Sequence, residues 1–134
     1  MDWKLVRLAG QSPVELCDVL TKEPDGYHLL HVKYKYGSAS LSHLFGQGNV
    51  SAELLYDRKF RAAANRVIKD PNLKLPVRDG HDPTNYVITY GIIGKMPQGN
   101  PISVPLFSKI TLKVFFDNLS RMQYRVQLLF IADR

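Results

Sequence analysis

An α/β domain built on one mixed central sheet, with elements in the order β-β-β-α-α-β-α-β, is what this sequence predicts, and three observations carry the prediction. Up to Lys35 apolar and polar side chains alternate with the period of strands. From Ser38 the period moves towards that of a helix. Tyr86 to Ile93 (YVITYGII) is then too evenly apolar for a half-exposed strand and reads as a central strand buried on both faces.

Taken in order, Trp3 to Leu8 (WKLVRL) alternates apolar and basic residues and is punctuated by AGQSP, and Val14 to Leu20 is a second strand. The short GQSP link pairs the two as an antiparallel hairpin. Glu23 to Gly26 (EPDG) has Pro second and Gly fourth, as a tight turn does, so Tyr27 to Lys35 completes a three-stranded meander. SASLSHLF is a short helix ended by the two glycines of GQGN. A longer helix follows with Ser51 as N-cap; Ala52, Tyr56, Phe60, Ala63 and Val67 form its apolar stripe, and Arg58, Arg61, Asn65 and Lys69 its basic face. Asp70 to Asn85, with three prolines and a DG step, is a long surface loop holding a His81 that has no partner in view. After the central strand and KMPQGNPISVP, a helix from near Ser108 turns Ile110, Val114, Phe115, Leu119 and Met122 inward and pairs Lys113 with Asp117 outside. Tyr124 to Ile131 is the last strand, joined to the fourth by a parallel crossover.

With 134 residues, 45% of them hydrophobic, the chain makes one domain, 1–134, with a real core. Eighteen Lys and Arg against twelve Asp and Glu give a formal charge of +6, which favours polyanionic partners. The excess is regional: residues 1–35 are balanced, while Arg58, Lys59, Arg61, Arg66 and Lys69 cluster on one helix. A nucleic-acid footprint has that form, and so does a solvated helix face. Cys17, the one cysteine, sits in an apolar run and points to a reducing cytoplasm. The N-terminus lacks the pattern of a secretion signal, and no stretch has the length of a membrane span. No CxxC pair, phosphate-binding loop or nucleophile elbow occurs, which leaves zinc fingers, nucleotide-binding folds and serine hydrolases without support.

The chemistry gathers on the third strand, YHLLHVKYK. Leu29, His31, Lys33 and Lys35 share one side of it, and a strand buried there has little use for basic heads. Asp18 lies at the end of the neighbouring strand, so a carboxylate, an imidazole and an ammonium can converge. Magnesium takes oxygen ligands, of which Asp18 supplies one and the Val32 carbonyl another, while Lys33 can orient a water or stabilise charge on a phosphate. Glu15 points away from Asp18 by alternation.

The strand order, with Asp18 on the second strand and His31-Val32-Lys33 on the third, resembles the PD-(D/E)xK restriction-endonuclease-like fold. Ser40, His43 and Gln47 resemble the further motif that several branches of that superfamily place over the active site. The resemblance implies a DNA-binding, metal-dependent nuclease: Asp18, His31 and Lys33 catalytic, Asp18 and His31 holding Mg or Mn. The nucleic acid, DNA in preference to RNA, would meet Lys35, Ser40, His43, Gln47, Arg58, Arg61, Lys69, Ser108 and Lys109. The text HVKYKYGSASLSHLFGQGNVSAELL, with PLFSKITL and YRVQLLFIA, is also similar to the C-terminal part of a sporadically distributed, uncharacterised family of larger bacterial proteins, which implies a C-terminal portion of a larger ancestral protein.

Two departures mark the first resemblance. His31 stands where the motif has an acid, and imidazole suits transition metals better than magnesium. The helix that precedes the first strand in that pattern, often with another acid, has no counterpart before Trp3. Other readings stand beside these: Asp18 as a turn acceptor, His31 as a hydrogen-bonded histidine, Ser108 as a helix cap, and the whole domain as a catalytically inactive module that binds nucleic acid, a partner protein or a second copy of itself.

Overall fold

The computed structural model describes residues 4–7, 15–34, 38–94 and 106–132. Its elements are β1 (Lys4–Arg7), β2 (Glu15–Glu23), β3 (Gly26–Tyr34), α1 (Ser38–Leu54), α2 (Arg58–Val67), β4 (Tyr86–Gly94), α3 (Leu106–Arg121) and β5 (Arg125–Ala132), in the order the sequence predicts. The strands form one five-stranded sheet in which β1 to β5 lie side by side in chain order. β2 is antiparallel to both its neighbours, and β3, β4 and β5 run parallel. Only β2 is therefore reversed. The β2–β3 turn closes at Gly26, whose φ of +128° and whose contact with the Asn85 carbonyl, 2.3 Å from where a Cβ would stand, admit no side chain.

The core lies between the helices and the sheet face bearing Leu20, Leu29, Ile88, Tyr90 and Ile92. Leu41, Leu44, Phe45 and Leu55 come down on it, with Phe60 and Ala64 from α2 and Leu119 from α3. β4 is buried along most of its length, as its apolar text demands. Among the described residues no helix is long and apolar enough to cross a membrane.

Several expectations about the helices are corrected. GQGN does not break the helix, because α1 runs through it: a Cβ at Gly48 would lie 2.3 Å from the Tyr90 hydroxyl, so that glycine marks a close approach to the sheet. The break falls at Leu55–Asp57, and Asp57, not Ser51, caps the second helix by accepting the Lys59 N–H at 2.9 Å. Ser51 is buried inside α1, and Tyr56, placed by sequence on the apolar stripe, is exposed with its hydroxyl donating to the Met122 carbonyl at 2.7 Å. On α3 the inward row is Leu112, Phe115, Leu119 and Met122, at spacings of three and four. Ile110 and Val114 are instead 57% and 58% exposed, since Ile110 lies about 200° around the helix from Leu112. The Lys113–Asp117 pair forms at 2.8 Å.

The basic face of α2 is corrected most. Arg61 is only 2% exposed, and its guanidinium donates to the carbonyls of Leu55 at 2.6 Å, Pro76 at 2.9 Å and Arg78 at 2.8 Å. Asn65 exchanges two bonds with the Leu75 backbone, and Arg58 donates to the Val77 carbonyl at 2.8 Å. This face of α2 holds the 70–85 segment against the domain. That segment is a strapped loop with short 3-10 turns at Pro71–Leu73 and Pro83–Asn85.

Candidate functional site

Antiparallel pairing of β2 with β3 runs from Glu23↔Gly26 to Val19↔Leu30, and the next step sets Asp18 across from His31 on the helix-covered face. There the backbone ladder gives way to a side chain. Asp18 Oδ2 accepts the Val32 N–H at 2.8 Å, so the carboxylate is fixed at the point where β2 leaves β3. His31 is 3% exposed, with its ring centroid 6.0 Å from that of Tyr90. Burial pushes its imidazole down to about 4, against the opposing pull of the Asp18 charge, so it is neutral at pH 7. Its Nε2 has no hydrogen-bond partner among the described residues.

These two side chains face an open cleft of about 480 Å³. α1 supplies most of the remaining wall through Ser42, His43, Gly46, Gln47, Asn49, Val50 and Ser51, and α3 supplies Phe115. Ser42 Oγ is a second buried polar atom without a partner among the described residues. Asn49, by contrast, is engaged: it donates to Glu53 at 3.3 Å and accepts from Asn118. His43 and Gln47 are exposed at the rim, one turn apart.

Of the residues singled out by sequence, Asp18, His31, His43 and Gln47 line this cleft. Lys33 shares the face of His31, is half-buried and is not part of the lining. Arg58 and Arg61 are committed to the 70–85 segment, which withdraws the Arg61 guanidinium from any ligand at the surface; Lys69 and Lys109 are exposed elsewhere. For Ser40 and Ser108 only the helix position is described, in the first turns of α1 and α3, and Lys35 lies outside the described residues. Ser42, Gly46 and Phe115 escaped the sequence reading. Ser42 and Gly46 carry a signal in retrospect, being small residues one turn apart on a helix that packs on a sheet. Phe115 carries none, since an inward aromatic reads as core.

A metal cage is not ready-made: among the described residues no three His, Cys, Asp or Glu side chains converge. Asp18 and His31 line one cleft, close enough for the Asp18 charge to act on the imidazole.

His81, expected to stand alone, sits among Tyr56, Tyr86 and Tyr124 with ring centroids 4.5 to 5.8 Å away. Tyr124 donates its hydroxyl proton to the Ala52 carbonyl at 2.6 Å, so His81 Nε2 must be the donor in its 2.8 Å bond to that hydroxyl. This is a structural cluster that fixes the 70–85 segment.

No curated protein and no solved structure matches the chain. A family described as one of unknown function, DUF6119, matches residues 1–132, nearly the whole sequence, and the chain belongs to that family.

Proposed function

We propose that this is a restriction-endonuclease-like domain that acts on nucleic acid at the Asp18–His31 cleft, hydrolysing a phosphodiester bond with the help of a divalent metal. The observation that carries the reading is the placing of a fixed carboxylate and a buried histidine with an unpartnered ring nitrogen, from β2 and β3, in the lining of one open cleft. The mixed sheet supports the reading in the coarser sense that β2 and β3 lie side by side and carry Asp18 and His31 on one face.

A neutral imidazole with an orphaned Nε2 beside a carboxylate fits a divalent cation. The donor set of one oxygen and one nitrogen fits Mn²⁺ better than Mg²⁺, which prefers an all-oxygen shell. Asp18 and His31 would hold it. The chemistry a divalent cation supplies at such sites is withdrawal of charge from the phosphate oxygens and a more acidic attacking water. Asp18, held by the Val32 N–H, keeps the site's geometry fixed; Lys33, two residues beyond His31 on the same face, adds positive charge near the scissile phosphate.

The test is nicking of supercoiled DNA in Mg²⁺ and in Mn²⁺ by the wild type, Asp18→Asn and Lys33→Met. Activity that is higher in Mn²⁺ and falls at least tenfold in each variant supports the reading. Wild type and variants that are equally inert in both metals would remove it.

A second reading, an inactive module that docks a partner protein or a second copy, draws on one observation. Ile110, Val114 and Phe116 on α3 and Leu129, Phe130 and Ile131 on β5 are all more than a third exposed. Sedimentation beside the nicking assay separates the readings: self-association that Val114→Lys abolishes, in a chain that nicks DNA in neither metal, supports the second.

A further inference from the structure

The same cleft defines the form of nucleic acid that can enter it; this rests on nucleic acid being the ligand, as proposed above, but not on its hydrolysis. His31 lies at the bottom, 3% exposed, under α1. At about 480 Å³ the space is that of a small-molecule pocket, wide enough for one nucleotide and far narrower than a duplex groove-binding surface. Its side is flat and apolar where Phe115 stands beside Gly46, whose missing side chain leaves the ring's neighbourhood open: a Cβ there would lie 3.8 Å from Phe115 Cζ. Val50 continues that wall. One turn before Gly46, Ser42 lines the same space; its buried Oγ has no partner among the described residues, and a turn about χ1 would present it to a ligand.

A ligand that fits all of this has a flat ring for Phe115, a hydrogen-bonding edge for Ser42 and a phosphate that a divalent cation can bridge to the Asp18 carboxylate. We infer that the cleft takes a single unstacked nucleotide, its base against Phe115 with an edge at Ser42 Oγ, so that the substrate is single-stranded nucleic acid or a strand with its base extruded. A base inside a duplex is covered on both faces by its neighbours and cannot offer one to Phe115, whereas a base in a single strand can stack on an aromatic side chain whatever its sequence.

The test is fluorescence anisotropy in Ca²⁺, which can bridge Asp18 and phosphate oxygens, with a labelled DNA 12-mer, the same sequence as RNA, and the DNA duplex. Wild type should bind one of the single strands at least tenfold more tightly than the duplex, and the preferred strand names the sugar. Gly46→Met should fill the cleft and weaken single-strand binding about tenfold, a loss of the size that base stacking on one aromatic ring contributes, without changing duplex binding. The space beside Gly46 accepts a Cβ at ordinary contact and Met favours the helix more than Gly does, so this variant should unfold at or above the wild-type thermal midpoint. Phe115→Leu is the independent variant, and it should show the same selective loss.

Equal affinity for strand and duplex, no binding of any of the three, or single-strand binding indifferent to both Gly46→Met and Phe115→Leu would overturn the inference. A protein that prefers single strands yet never cuts DNA in either metal would sink the nuclease reading and leave this one standing. A nuclease that cuts duplex and single strand equally, untouched by Gly46→Met, would do the reverse.

Discussion

A charged side chain withdrawn from water needs all its donors answered, and Arg61 has three carbonyls to answer it. Removing the guanidinium leaves the Leu55, Pro76 and Arg78 carbonyls without it, so Arg61→Met should cost about 3 kcal/mol in urea unfolding, while Arg58→Ala, at an exposed site, should cost less than ~1 kcal/mol. Similar costs for the two would mean that the strap does not depend on the buried charge. His81 gives the same region a pH dependence. Burial foremost, with help from the Arg61 charge and against that of Asp82, pushes its imidazole down to about 4 from an ordinary 6.5. The unfolded chain therefore binds a proton at a higher pH than the folded one, and the stability is complete above pH 6.5 and falls as pH drops towards 4. His31 shifts in the same direction and loses stability over the same window. His81 is partly exposed, so its own share, discounted for solvent screening, is of order 1 kcal/mol. Urea midpoints at pH 7.5, 6.0 and 5.0 should fall less for His81→Phe than for wild type; parallel curves would assign the loss to other groups.

Elements were legible in this sequence where their signals are local, and misread where a distant partner decides. The EPDG turn, the even apolarity of β4 and the Lys113–Asp117 spacing needed nothing beyond their own neighbourhood. GQGN looked like a helix end because glycine costs about 1 kcal/mol inside a helix, and only Tyr90, some forty residues on, shows why Gly48 stands there. The row Arg58, Arg61, Asn65 looked solvated because the strap that covers it is itself irregular and leaves no periodic trace. Of the α3 stripe Phe115, Leu119 and Met122 face the core as expected, and only Ile110 and Val114 were misplaced, because Leu112 and Ile110 are equally apolar and nothing in the text favours one. The α1–sheet contact offers a direct check. Gly48→Ala should destabilise by about 2 kcal/mol, as overpacking does, because its Cβ would sit 2.3 Å from the Tyr90 hydroxyl, which is itself buried and bonded to the Phe45 carbonyl at 2.9 Å. Tyr90→Leu in the same chain should recover part of that loss in a double-mutant cycle, and additive losses would place the strain elsewhere.

At the scale of the whole molecule the order of elements was readable throughout, because it is the sum of local periods, and so was the pairing of Asp18 with His31, because adjacent strands of a meander bring their residues together without long-range contacts. What text alone could not supply was the cleft above them, which α1 and α3 build only when packed together. Because Asp18 and His31 come from two strands and the walls from two helices, a ligand seated there binds the folded chain and has no equivalent in the unfolded one. Binding must then raise the unfolding temperature through mass action. An ion present at a hundredfold over its dissociation constant contributes about 2.7 kcal/mol, which for a domain of this length moves the midpoint by roughly 10 °C. Mn²⁺ should therefore raise the midpoint more than Mg²⁺ at equal concentration, His31→Gln should erase the difference by removing the nitrogen donor, and His31→Glu should hand the larger effect to Mg²⁺ by completing an oxygen set. Scanning calorimetry of the three proteins with and without each ion reads this apart from any activity. Equal shifts from both ions in wild type and His31→Gln would mean that the unpartnered Nε2 is not a metal ligand.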